Sequence, residues 1–155
     1  AAEMAAAVFE RAPGADVVLM AAAVADFRPV NPMASKWAKA AGPPEILLEP
    51  TTDILATLAA RRRPGQVLVG FAAATGSLAA SARAKLVGKG VDLVVANDVG
   101  AGGSGFGHDT NRVLLVSAGG DHDVPLMGKR DVARLVLDAV VPLLRSHTRE
   151  ERDQP

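Results

Sequence analysis

Lysine is the scarce cation of this sequence, and its placement is informative. Of seventeen Lys+Arg residues five are lysines, against twelve arginines, so surface charge is ordinarily carried by Arg. Lys36 and Lys39 fall together in a segment rich in Pro and Gly, and Lys85 and Lys89 stand four apart. On a helix that spacing puts both ammonium groups on one face. Lysine meets phosphate as a compact, mobile point charge where arginine offers a rigid fork. Lys85 and Lys89 therefore read either as a solvated face or as a phosphate contact, and Lys89 also suits the dipole of a last helical turn.

Three other groups could take part in such a site. Thr51-Thr52-Asp53 precedes an apolar run and has N-cap chemistry; an ordinary cap is the simpler reading, and amide N–H groups aimed at a phosphate the sharper one. Asp26 follows an apolar stretch and small residues that would let a ligand approach the backbone. Phe71 closes an apolar run and is either core or a cover for a base or sugar. Gly100-Ala-Gly102-Gly-Ser-Gly105 matches G-x-G-x-x-G formally, but the fingerprint needs a helix directly after it, and here a strand is expected from Arg112. His108 and Asp109 are neighbours without a third ligand at suitable spacing. His122 and His147 lie in hairpin and tail contexts, and Ser104 and Ser117 have no partnered base, which argues against a hydrolase triad.

The elements that must position these residues alternate. A helix over residues 1–12 stops at Pro13-Gly14, and a short strand covers 16–20. Residues 26–42 have no sustained period and read as a long exposed loop, functional or mobile at that length. A strand at 46–49, a helix after Asp53 ended by Pro64-Gly65, and a strand at 66–71 follow. A helix over 77–89 closes at Gly90, where a left-handed cap is wanted. A strand at 92–96 precedes the glycine-rich segment, and residues 112–117 and 121–124 read as an antiparallel hairpin. The last helix is expected over 129–144, with a polar, frayed tail at 145–155. Short strands apolar on both sides, alternating with helices, specify an α/β fold: a Rossmann-like, mostly parallel sheet with helices on both faces and a C-terminal antiparallel hairpin. Ligands in such folds sit beyond the carboxyl ends of the strands, which singles out residues 21–26, 50–53, 71–75 and 97–107.

Composition narrows the function class. The chain has 155 residues, 49% hydrophobic and 22% charged, with zero formal net charge. That suits one ordered domain and lacks the basic excess needed to wrap nucleic acid or an anionic membrane. There is no Cys, so disulfides, zinc–thiolate sites and thiol nucleophiles are excluded. Aromatics are 3%, too few for a base-stacking platform. No run approaches the ~20 apolar residues of a membrane helix, and the N-terminus lacks a basic signal-peptide region. A small-molecule protein of a reducing, cytoplasmic compartment is expected.

Several segments in order carry a family resemblance: Met20-Ala-Ala-Ala-Val-Ala-Asp26-Phe-Arg, Ser35-Lys36-Trp-Ala-Lys39, Thr52-Asp53-Ile-Leu55, Val69-Gly-Phe71-Ala-Ala, the Lys85/Lys89 pair, Ala96-Asn97-Asp98-Val and Gly105-Phe106-Gly-His-Asp-Thr-Asn111. The chain resembles the phosphopantothenoylcysteine synthetase domain of coenzyme A biosynthesis, in the bacterial form fused behind a flavin-dependent decarboxylase. The resemblance runs from the first helix to the last. It implies a CTP-dependent ligase that couples 4'-phosphopantothenate to L-cysteine through an acyl-cytidylate, releasing pyrophosphate and CMP, with Mg2+ on the triphosphate. FMN is implied only for the decarboxylase portion.

By position, the resemblance implies that Lys36 is a flap lysine and the catalytic cation. It makes Lys85 and Lys89 triphosphate-binding, and assigns the nucleotide to Met20, Ala21, Ala22, Asp26, Thr52, Asp53, Ile54, Leu55 and Phe71. Ala23 and Asn97 would face the substrate. It also implies a homodimer, for which the late hairpin is a reasonable surface, and a larger assembly through the decarboxylase. The family's glycine-rich opening and its Asn-x-Ser-Ser-Gly segment do not occur here. Residues 1–144 are therefore expected to be the larger C-terminal part of the synthetase domain, followed by the tail. The rival readings are an NAD(P)-dependent Rossmann-type oxidoreductase and a non-catalytic nucleotide-binding module.

Overall fold

The computed structural model describes residues 1–74, 76–98, 104 and 107–152. In chain order the elements are α1 (Ala2–Arg11), β1 (Val17–Met20), β2 (Phe27–Pro29), β3 (Leu48–Pro50), α2 (Ile54–Arg61), β4 (Val67–Ala74), α3 (Leu78–Lys89), β5 (Leu93–Asp98), β6 (Thr110–Ser117), β7 (Gly120–Gly128) and α4 (Lys129–Arg152). Five strands form one sheet in the order β1-β4-β5-β6-β7. The first three are parallel, with Val17 opposite Val67 and Val69 opposite Leu93. β6 and β7 complete the sheet antiparallel, with a register shift between Asn111 and Val113.

Side chains of a strand alternate between faces, and here both faces are apolar. Leu68, Val94, Ala96 and Val116 pack with Ile54, Leu55 and Leu58 of α2 and with Ala82 and Leu86 of α3. Val67, Val69, Leu93, Val95, Val113 and Val124 face the other way, onto Val132, Val136 and Val140 of α4. The four-residue steps in α3 and α4 are the helical counterpart of that alternation. Each such Val or Leu contributes about 1.5–3 kcal/mol on full burial. No described helix is long and apolar enough to cross a membrane.

The helix ends are chemically specified. Asp53 caps α2, its carboxylate accepting the Ala56 N–H at 3.0 Å. α3 ends at Gly90 in the left-handed region (φ +65), with the Val91 N–H returning to the Leu86 carbonyl at 3.2 Å. Asp92, between α3 and β5, accepts two hydrogen bonds from Arg62 (2.8 and 2.7 Å) and one from the Leu68 N–H (2.8 Å). One carboxylate thereby joins the end of α2 to the start of two central strands.

Three expectations are corrected. Residues 26–42 are not one long loop: Phe27–Pro29 pairs antiparallel with Leu48–Pro50, making an arm outside the main sheet. The pairing partner lies some 20 residues ahead, beyond the reach of local periodicity, and the expected strand at 46–49 is the arm's second strand. β4 continues to Ala74 and β7 to Gly128, beyond the expected ends at Phe71 and Val124. α4 continues to Arg152 instead of ending at Leu144. Nothing in Arg145–Arg152 stops a helix, since Arg and Glu are good helix formers and no Gly or Pro intervenes.

Asp92→Ala is expected to cost about 2–4 kcal/mol in urea denaturation, because it strands the Leu68 N–H and the Arg62 guanidinium. Asp92→Asn, which keeps an acceptor for Leu68, is expected to cost less than half of that.

Candidate functional site

A cleft of about 300 Å³ opens where β1 and β4 end and α2 begins. The segment after β1 forms one wall with Met20, Ala22, Ala23 and Asp26, and the Thr51–Leu55 turn forms another. Phe71 and Ala73 of β4 and Lys85 and Lys89 of α3 complete it. The alanines are what the chemistry of a close-approaching ligand needs: they expose main-chain N–H and C=O groups without a bulky side chain in front. Gly70, one residue before Phe71, serves the same end from below. A Cβ there would stand 2.8 Å from Leu55 Cδ2 and 4.0 Å from Lys85 Cε, so its absence lets both side chains lie against the strand.

The charges of the cleft are coupled. Lys89 Nζ pairs with Asp53 Oδ2, while Asp53 Oδ1 caps α2. Lys85 Nζ donates to the Phe71 carbonyl. Partial burial raises the Asp53 pKa, but hydrogen bonds from Lys89 and the Ala56 N–H, with the Lys89 and Lys85 charges, outweigh it and hold the carboxyl below its ordinary value. Burial, followed by repulsion from Lys89, pushes the Lys85 ammonium below the usual lysine value against the pull of Asp53 and Asp26. Two cations held close, one of them partly desolvated, form a site that a polyanion would relieve.

Of the residues singled out from sequence, Met20, Ala22, Ala23, Asp26, Thr52, Asp53, Ile54, Leu55, Phe71, Lys85 and Lys89 line this one cleft. Ala21 sits between two lining residues and is exposed. Asn97 lies on β5 opposite Ala73, one strand away. Lys36 is exposed on the arm and does not line the cleft. Val24, Ala25, Thr51 and Ala73 also line it. Thr51 entered the sequence reading only as part of the Thr51-Thr52-Asp53 cap, and Val24, Ala25 and Ala73 only through the strand-end segments it marked. The glycine run at 100–105 lies outside the described residues except for Ser104, which is buried and donates to Asn111 Oδ1 at 2.5 Å. Among the described residues the next element is strand β6, and no helix follows that motif.

A polyanion in the cleft stabilises the charged form of Lys85 and returns its pKa upward. Between the depressed and restored values, binding must take up a proton, and affinity must fall as pH rises. Calorimetry with inorganic triphosphate in alkaline buffers of different ionisation enthalpy is expected to show net proton uptake, absent in Lys85→Gln.

Comparison with known proteins identifies the family. Residues 1–143 match the DNA/pantothenate metabolism flavoprotein C-terminal domain. The coenzyme A biosynthesis bifunctional protein CoaBC of Bacillus subtilis (strain 168) is 42% identical over 144 residues, covering 92% of this chain and 35% of the relative. The protein of the same name from Mycobacterium tuberculosis (strain ATCC 25618 / H37Rv) is 41% identical over 153 residues, covering 92% and 36%. This chain thus spans about a third of the length of these relatives. The crystal structure of the C-terminal domain of a CoaBC protein superposes with a TM-score of 0.74 at 33% identity, over 94% of this chain and 63% of that one. The chain belongs to the DNA/pantothenate metabolism flavoprotein C-terminal domain family, the family of the C-terminal domain of the bifunctional CoaBC proteins.

Proposed function

We propose that this chain carries the CTP-dependent ligase chemistry of coenzyme A biosynthesis, joining 4'-phosphopantothenate to L-cysteine. The observation that supports it most directly is the convergence of Lys85, Lys89 and the Asp53-capped start of α2 on one alanine-walled cleft, in a chain of this family. In the first step the phosphopantothenate carboxylate attacks the α-phosphorus of CTP, forming an acyl-cytidylate and expelling pyrophosphate. In the second the cysteine amine attacks the acyl carbonyl, and CMP departs as the amide forms.

Both steps build negative charge on phosphoryl or carbonyl oxygens, and the residues present can meet it. Lys85 and Lys89 hold the triphosphate, Lys89 exchanging its Asp53 partner for a phosphate oxygen. Backbone groups of Met20–Ala22 and Thr52–Leu55, with the Phe71 ring, hold the nucleoside. Ala23 faces the reacting junction, and Asn97 serves the acyl substrate. Lys36 comes over the cleft with the arm, neutralising charge and excluding the water that would hydrolyse the intermediate. Asp26, beside Lys85, completes the charge pattern.

Among the described residues there is no cluster of three His, Asp or Glu that could hold a metal. That donor set fits a magnesium ion brought by the triphosphate and touched by one carboxylate, such as Asp26, better than an ion caged by protein. When bound, it supplies neutralisation of the phosphate oxygens. FMN belongs, in this reading, to the decarboxylase portion of the relatives. A homodimer is also part of it. The arm exposes Phe27 (58%), Met33 (54%), Ile46 (64%) and Leu47 (61%), an apolar surface better suited to a second copy than the late hairpin expected from sequence. A dinucleotide oxidoreductase is disfavoured, since alanines and not a glycine-rich turn follow β1.

Lys36→Ala is expected to lower CTP-dependent pyrophosphate release at least a hundredfold with an unchanged melting curve; undiminished turnover would remove that lysine from the chemistry. In thermal-shift titrations CTP is expected to stabilise the protein more than ATP and far more than NADPH. Stabilisation by NADPH above CTP would overturn the ligase reading.

A further inference from the structure

The arm that carries Lys36 is joined to the body at a narrow root. The chain leaves the cleft wall at Asp26, enters the arm at Phe27, returns at Pro50 and reaches α2 through Thr51. The two-stranded ribbon itself is a weak fastening. It has three rungs, Phe27–Pro50, Arg28–Glu49 and Pro29–Leu48, and two of its six residues are prolines with no N–H to donate. Its ion pair, Arg28 Nε to Glu49 Oε1 at 2.7 Å, has both side chains largely exposed (58% and 40%) and adds little.

The root is held differently. The Thr51 N–H donates to the Asp26 carbonyl at 2.8 Å, and Thr51 Oγ1 donates to the Ala25 carbonyl at 2.6 Å. One residue therefore makes two adjacent hydrogen bonds across the two chain segments that enter and leave the arm. Ala25, Asp26 and Thr51 all line the cleft as well. These two bonds are the hydrogen bonds that join the strands' ends where the arm meets the cleft wall.

We infer that Thr51 is a positioning residue: its hydroxyl latches the arm's root to the cleft wall and fixes the point about which the arm brings Lys36 to the bound triphosphate. The inference rests on the proposed role of Lys36 and deepens it. The hydroxyl is not needed for folding, because the Ala25 carbonyl it serves is at an exposed position where water can replace it. Nor is it needed for the nucleotide to enter, because Lys85, Lys89 and the start of α2 stand without it.

Thr51→Val keeps the β-branched shape and removes only the O–H donor. In the intact protein, with CTP, 4'-phosphopantothenate and cysteine supplied, it is expected to lower kcat for pyrophosphate release about tenfold. The KM for CTP is expected to stay within about twofold and the melting temperature within a few degrees. Thr51→Ser, which restores the hydroxyl, is expected to recover most of the rate. In a Lys36→Ala background Thr51→Val is expected to add no further loss, since both changes act through one element. The inference is overturned by wild-type kcat in Thr51→Val while Lys36→Ala is inactive, by full multiplication of the two losses, or by a raised KM for CTP at unchanged kcat. Full activity of Lys36→Ala is a different result: it removes the underlying role of that lysine, and the latch with it.

Discussion

Everything in this molecule is arranged around two neighbouring parallel strands that have no solvent on either side. Val67, Leu68, Val69 and Val94 are completely buried, so β4 and β5 can carry no polar side chain along their central length. Helices must cover both faces, and α1–α3 and α4 do so. Chemistry is then confined to where burial stops. Phe71 and Ala73 on β4 and Asn97 on β5 mark that boundary, and the polar groups of the cleft gather directly past it. The site is at the ends of the strands because the strands themselves are fully occupied with packing.

Within the cleft, geometry matters more than the strength of any single bond. The Lys89–Asp53 pair is partly exposed, at 34% and 45%, and such a pair contributes little to stability. Its effect is positional. Asp53 is fixed by its capping bond to Ala56, so Lys89 is drawn to the start of α2 before any ligand arrives. Lys85 is fixed from the other direction by the Phe71 carbonyl. In the proposed reading a ligand phosphate would meet cations already gathered, and would replace a weak surface bond with a stronger one to a multiply charged group.

Much of this could be read from residue order because the relevant signals are local. The Asp53 cap, the Gly90 stop, the four-residue Lys85/Lys89 spacing and the doubly apolar strands each declare themselves within a few residues, and together they set the sheet and one side of the cleft. Signals that depend on distant pairing could not be read this way. Phe27–Pro29 has no strand period of its own and becomes a strand only against Leu48–Pro50. Thr51 resembles any residue of a capping stretch until its bonds to Ala25 and Asp26 are seen. Residues after Leu144 are polar, and polarity alone cannot distinguish a frayed tail from a solvated helix; Arg145 onward is helical to Arg152.

The arm also holds the sequence's one tryptophan, and there is no tyrosine anywhere. Trp37, next to Lys36, is 41% exposed, and its indole N–H donates to the Gly42 carbonyl at 2.6 Å, closing a small ring within the arm. Fluorescence excited at the red edge of tryptophan absorption, where the phenylalanines do not absorb, therefore originates in the arm. Its colour and quenching track the surroundings of that ring, so any movement of the arm would carry an optical signal requiring no added label.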